Sequence, residues 1–360
     1  MNREKTFQII RTCVAMLVAV LVAFLIILAV SSNPIESIKI FLLKPFSSLR
    51  YVGNILETAT PLIFSGLAMA VLFRTSLFNM GGDGVYFFAG VMGSLAAIYL
   101  KLPPVILPVL VIAIGAVSGV GVMAVPGMLR AKYGTNEMVV SLMMNSIMLG
   151  IGSYILNNIM RDTSTSALVS FKYQKAALLP KIIPGTKVHL GFAIAIIAAV
   201  LVNFILFRTS MGYKIRVSGT NSRFAEYSGI NVSSIILKVH LLAGILCGLG
   251  GIIECLGLHK RFEWTALPGY GFDGCMIAML AGNNPYGVIG SALFVGYLRV
   301  GADLVNRFSD VPTEMIAILQ SIIILLISAE RFLYHYKQKW IEKAAHLENT
   351  DVQSAGGKAV

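Results

Sequence analysis

The chain is 360 residues long, 56% hydrophobic and only 13% charged, with a mean hydropathy of +0.79. That balance excludes a soluble fold and describes an integral membrane protein. The net charge of +12 is spread over short segments between apolar runs, where basic side chains meet anionic headgroups and set topology rather than form a nucleic-acid-binding face. Cysteines at 13, 247, 255 and 275 lie in or beside apolar runs without metal spacing, and they read as small buried hydrophobes.

Arg3, Lys5 and Arg11 precede an apolar run over residues 12–30, long enough for an uncleaved first membrane helix. Residues 32–50 follow as an external segment with an amphipathic patch at 35–43. Further spans are expected over 51–73, 84–100, 105–125 and 136–160, with a basic connector at 130–134. A Pro- and Gly-bearing loop over 161–190 leads to a sixth span over 191–207. A polar connector over 208–234 leads to a seventh over 235–256. Residues 270–302 supply the eighth and ninth spans, the eighth too short to cross unless tilted or re-entrant. After a loop at 305–312, a tenth span over 313–332 precedes a polar tail. The expected fold class is therefore all-α, a polytopic membrane protein of about ten transmembrane helices. Its membrane domain covers 1–333 and its cytoplasmic tail 334–360. The basic residues lean toward the segments that put both termini on the cytoplasmic side.

Residues 270–302 hold the densest chemistry. Asp273 lies in an apolar run, where a lone carboxylate costs on the order of 2.5–3.5 kcal/mol, so it faces a bundle interior or an aqueous cavity. Asn283 and Asn284 precede Pro285, which breaks the run because proline lacks an N–H and biases its predecessor away from helix. Two readings stay open: a tight turn with a buried acid as packing glue, or a position beside a solute route.

An internal repeat accompanies this break. Gly81-Gly82-Asp83-Gly84 opens the third span and Gly271-Phe272-Asp273-Gly274 the eighth. Asn136-Glu137-Met138-Val139 opens the fifth and Thr313-Glu314-Met315-Ile316 the tenth. An offset of five spans inverts the second unit, and inverted repeats with interrupted helices are the best sequence pointer to a transport pathway.

The motifs resemble those of bacterial ABC importer permeases for nucleosides, within the larger family that handles simple sugars and branched-chain amino acids. The strings that carry the likeness are Phe78-Asn79-Met80-Gly81-Gly82-Asp83-Gly84, Gly134-Thr135-Asn136-Glu137 with Leu142-Met143-Met144-Asn145, Gly219-Thr220-Asn221, and Gly271-Phe272-Asp273-Gly274 with Asn283-Asn284-Pro285. Asp83 stands where the family usually has Glu, Val85 where it has Gln, and Ala281-Gly282 where it has Gly-Arg. The resemblance implies a permease subunit that works with a second permease, a cytoplasmic ATP-binding subunit and an extracellular substrate-binding lipoprotein, without a cofactor.

On this reading Asn79, Asp83, Asn145, Asp273, Asn283 and Asn284 line or support the solute route. Within the 208–234 connector, Asn221 or Ser222 can cap a short helix through Arg223 and Tyr227, and Gly229 suits a left-handed stop. The resemblance makes this a coupling helix in a cleft of the ATPase, carried by Gly219, Asn221, Arg223, Phe224, Ala225, Glu226 and Gly229. Arg299 and Asp303, four residues apart, are expected to pair.

The alternatives are a simple-sugar ABC permease or an ion-gradient-driven secondary transporter with Asp83 and Asp273 as coupling acids. No Gly-x-x-x-x-Gly-Lys-Ser/Thr string occurs, so energy comes from another chain or from a gradient. No enzymatic role is expected. An intramembrane aspartyl protease would need glycine where Met80 and Tyr270 stand.

Overall fold

The computed structural model describes residues 33–309, together with Leu21, Val22, Phe24, Leu25, Leu28 and Ser31. The tenth span, the cytoplasmic tail and most of the first span lie outside the described residues. Eleven α-helices are described: α1 (Pro34–Leu43), α2 (Leu49–Phe73), α3 (Gly82–Tyr99), α4 (Ile106–Tyr133), α5 (Glu137–Ile155), α6 (Leu190–Arg208), α7 (Ser210–Thr220), α8 (Ser222–Tyr227), α9 (Val232–Leu258), α10 (Tyr270–Leu280) and α11 (Pro285–Phe308). Six are long and apolar enough to cross a membrane: α2, α4, α5 with its continuation to Met160, α6, α9 and α11. The protein is thus an all-helical, polytopic membrane protein.

The central element is α2, whose residues 59–72 are all buried. A helix that is apolar all round belongs in the middle of a bundle, and α6, α9, α10 and α11 pack around it. Against the expectation of a connector at 130–134, α4 runs on through Arg130 and Lys132 and carries Pro126 inside it. It stops at Gly134, whose φ of +66° is the left-handed stop that glycine adopts without strain. Similarly, α11 extends to Phe308 where a loop was expected from 305.

A seam of glycines joins α4 to α9. Gly115 and Gly119 on α4 face Gly248 and Gly244 on α9, four residues apart on each helix. A Cβ on Gly248 would lie 2.5 Å from the Gly115 carbonyl oxygen, and one on Gly244 2.6 Å from that of Gly119. Hydrocarbon gives helices no hydrophobic drive to associate, so backbone proximity of this kind supplies the packing.

The 161–189 loop folds as a cap across the end of the bundle. Ser170 N–H donates to the Phe262 carbonyl at 3.0 Å, Tyr173 N–H to Lys260 at 2.9 Å and Leu179 N–H to Leu256 at 3.1 Å. His189 closes the cap. Its Nδ1 accepts the Gly191 N–H at 3.1 Å, while its buried Nε2 has no protein partner. Burial pushes its pKa down to about 4, below the usual 6.5. The unfolded chain therefore binds a proton between pH 6.5 and 4 that the folded protein refuses, and stability falls as pH falls through that window, by on the order of 3 kcal/mol in all. His189→Gln is expected to flatten this slope in thermal unfolding of the detergent-solubilised protein. An unchanged slope would assign the acid sensitivity elsewhere.

Candidate functional site: two opposed helix starts and a short surface helix

The third and eighth spans begin against each other. At Gly82 a Cβ would lie 3.0 Å from Gly271 Cα, and at Gly271 it would run into the Asp83 backbone nitrogen. This approach is why glycine stands at both places. Asp83 Oδ1 accepts the Gly271 N–H at 2.6 Å, so a carboxylate from the start of α3 caps the start of α10. A negative charge suits the free N–H groups and positive dipole end of that helix. Asp83 Oδ2 is buried without a protein partner. Two residues beyond Gly271, Asp273 accepts from Arg299 of α11 at 2.7 Å. The expected Arg299–Asp303 pair does not form, because Arg299 turns inward to the buried acid. Asp303 instead pairs with Arg307 at 3.0 Å on the half-exposed side of α11.

The unwound segment before α3 hangs from one face of α5. Glu137 Oε1 accepts the Phe78 N–H at 3.2 Å, Ser141 Oγ the Met80 N–H at 3.0 Å, and Asn145 Oδ1 the Gly84 N–H at 2.9 Å. Asn145 also donates through Nδ2 to the Met80 carbonyl at 2.9 Å. These acceptors recur every four residues, so they share one helix face. They satisfy backbone groups that hydrocarbon would leave unpaired. Sequence reasoning named Asn145 for the site, quoted Glu137 only within motif strings and passed over Ser141, although the spacing Glu-x-x-x-Ser-x-x-x-Asn was there to be read. Asn79 is fully buried beside them, its Oδ1 accepting the Gly81 N–H at 2.7 Å.

The structure therefore gathers Asn79, Asp83, Asn145 and Asp273 around the starts of α3 and α10, all buried within the chain. Asn283 and Asn284 sit beyond the opposite end of α10, in the turn to α11. Asn283 adopts a left-handed φ of +57° and its carbonyl accepts from Arg74 Nε at 3.0 Å. Asn284 caps α11 by accepting the Tyr286 N–H at 3.0 Å. At 11 residues, α10 is about 16 Å long, roughly half a hydrocarbon core.

The connector over 208–234 is folded as two helices. Thr209, Asn221 and Asn231 cap α7, α8 and α9 by accepting the N–H groups of Gly212, Phe224 and Ser234 at 3.1, 3.0 and 2.9 Å. Gly229, at φ +78°, ends α8, and Ile230 N–H reaches back to the Ala225 carbonyl at 2.9 Å. Ala225 is fully buried against the rest of the chain, whereas Arg223, Phe224, Glu226 and Tyr227 are exposed, Tyr227 to 91%. Close packing by Ala225 is thus internal to this chain. Gly219 packs on the Arg74 backbone, where a Cβ would strike the Arg74 carbonyl, and Ser76 Oγ donates to the Gly219 carbonyl at 2.7 Å. Arg74 thereby joins the α7–α8 pair to the α10–α11 turn.

The described residues thus form a polytopic helical bundle with an interrupted apolar stretch and a capped surface helix pair. Residues 51–328 match the family described as the branched-chain amino acid transport system/permease component, and the chain belongs to that family. It is 33% identical over 312 residues to the guanosine ABC transporter permease protein NupP of Bacillus subtilis, covering 84% of this chain and 87% of that one. The nucleoside ABC transporter permease protein NupB of Lactococcus lactis is 31% identical, with 91% and 92% covered. The glucose ABC transporter permease protein TsgB13 of Haloferax volcanii is 29% identical, with 89% and 87% covered.

Proposed function

We propose that this chain is the permease subunit of an ABC importer that takes up nucleosides, driven by a separate cytoplasmic ATPase. The observation that carries the reading is α8, a short, doubly capped helix that presents an exposed aromatic and charged face. The end of α7 that leads into it is locked through Gly219 and Arg74 to the turn after α10. A rigid helix transmits the motion of a docked partner where a flexible loop would absorb it. The likeness to NupP and NupB supports nucleosides over sugars as the solute.

The route runs between this chain and a second, related permease, along the exposed face of α5. That face differs from an ordinary lipid-facing surface in carrying Ser146, Asn157 and Asn158 among its apolar residues. Asn79, Asp83, Asn145 and Asp273 support it from behind by holding α3 and α10 in place. In the plasma membrane both termini and α8 face the cytoplasm, and ten spans with an inverted repeat complete the fold. An extracellular binding lipoprotein delivers the solute.

Reconstitution with the ATPase and second permease tests the reading. Uptake of labelled guanosine is expected to require ATP and to resist excess glucose; uptake driven by a proton or sodium gradient without ATP overturns it. Replacing Phe224 and Tyr227 together by Ala is expected to weaken ATPase co-purification at least about tenfold, since buried aromatic anchors at interfaces each contribute more than about 1 kcal/mol. Full co-purification of the double variant would remove α8 from the docking surface.

A further inference from the structure

The end of α6 gathers cations without acids. Arg74, just past the end of α2, and Arg216, on α7, each hold the guanidinium carbon 5.3 Å from the centre of the Phe207 ring. Both lie within the reach of a cation–π contact. Main-chain carbonyls fix them there: Arg74 Nε donates to that of Asn283 at 3.0 Å, and Arg216 Nη1 to that of Leu206. A carbonyl orients a guanidinium but does not neutralise it. Among the described residues neither arginine has a carboxylate partner. Burial and the neighbouring charge of Arg216 both push the Arg74 pKa down. The chain has no Asp or Glu between Asp162 and Glu226, while Arg208 and Lys214 add two exposed cations in the same stretch. Like charges held together repel, and an anion from outside the chain relieves them.

The surface leading to this pair is apolar. Ile197, Val200, Leu201, Phe204 and Phe207 are exposed and recur every three or four residues, so they share one face of α6. This helix has the highest mean hydropathy of the six spans, 2.8, and only 33% of it is buried within the chain. Its exposed face meets hydrocarbon and ends at the ring that the two arginines share. An occupant that fits is apolar along the helix and anionic at its end. We propose that Arg74 and Arg216 bind the phosphate of an anionic phospholipid whose acyl chain lies along the exposed face of α6. The guanidinium fork matches phosphate oxygens. Free phosphate has the same headgroup chemistry but nothing for the apolar face, and the exposed aromatic residues of the ATPase-docking face belong to α8, not α6. The proposal needs α6 to span the membrane and does not need the transport reading, so the two fail separately.

The test is native mass spectrometry of the full-length protein in detergent, titrated with phosphatidylglycerol, phosphatidylcholine and glycerophosphate. Phosphatidylglycerol is expected to bind at least about tenfold more tightly than phosphatidylcholine, since each cation beside an anionic headgroup adds to the attraction. Arg216→Gln is expected to remove most of that preference and Arg216→Lys, which keeps the charge, to retain most of it. Lys132→Gln, at an exposed cation on α4, is expected to leave it unchanged. The thermal midpoint without lipid checks that each variant is folded. Equal affinity of the wild-type protein for the two lipids overturns the site whatever the variants do. A preference that survives Arg216→Gln, or falls as far in Lys132→Gln, overturns it as well. Glycerophosphate binding as tight as the lipid assigns the arginines to a soluble phosphate and overturns the lipid. Unchanged lipid preference in Arg216→Gln with loss of ATPase co-purification assigns the pair to the ATPase and also overturns it.

Discussion

Arg299→Ala is expected to destabilise the folded protein by about 3–5 kcal/mol, the cost of leaving one partner of a buried ion pair uncompensated. The pair is largely enclosed, with Asp273 and Arg299 side chains 12% and 26% exposed and 2.7 Å apart. Removing the guanidinium also leaves two carboxylates at the start of α10, because Asp83 already occupies the Gly271 N–H. Asp273→Leu combined with Arg299→Met removes both charges and is expected to recover most of the loss. The measurement is the thermal midpoint and monodispersity of each variant in detergent. An Arg299→Ala protein within 1 kcal/mol of wild type would show that water, rather than the ion pair, satisfies Asp273.

Gly244→Val is expected to abolish the folded state, and Gly244→Ala to cost about 3 kcal/mol, the upper part of the range for overpacking a tight core. The added carbon meets main chain at Gly119 and the Met123 Cβ at 2.9 Å, and main chain cannot swing aside as a side chain can. Relief requires α4 and α9 to part along the whole seam, since Gly248 abuts Gly115 one turn further on. Gly121→Ala, on the facing helix α4 but with nothing within 4 Å of its added Cβ, is the control and is expected to be neutral or slightly stabilising. Yield of monodisperse protein separates the cases. Equal yields for Gly244→Val and Gly121→Ala would dissolve the seam as a packing element.

The contrast between α8 and the α3–α10 junction explains how far the sequence was legible. For α8 the cap, the two turns and the left-handed stop are all encoded within nine residues, so local chemistry predicts the helix where it is found. Spans such as α2, α6 and α9 were legible because a continuous apolar run has one solution in lipid. What was not legible is which polar groups meet. Asp83 finds its partner 188 residues away, and Arg299 passes over Asp303, four residues on, for Asp273 on another helix. Nor does an i,i+4 rule reveal that Ala225 faces inward. Asn283 and Asn284 form the turn between α10 and α11, and Asp273 is held by Arg299.

Three side chains of α5 grip the segment over 78–84 by its main chain, closely enough that a Cβ on Gly84 would lie 2.8 Å from Asn145 Cα. Support and presentation are encoded in different parts of the gene. Selection can exchange Met80, whose bonds to α5 are made by its N–H and carbonyl, while the frame from Glu137 to Asn145 stays fixed. Variation in such a permease can therefore accumulate at Met80 without a compensating change in α5, whereas Gly82 and Gly84 are fixed by the closeness of the approach.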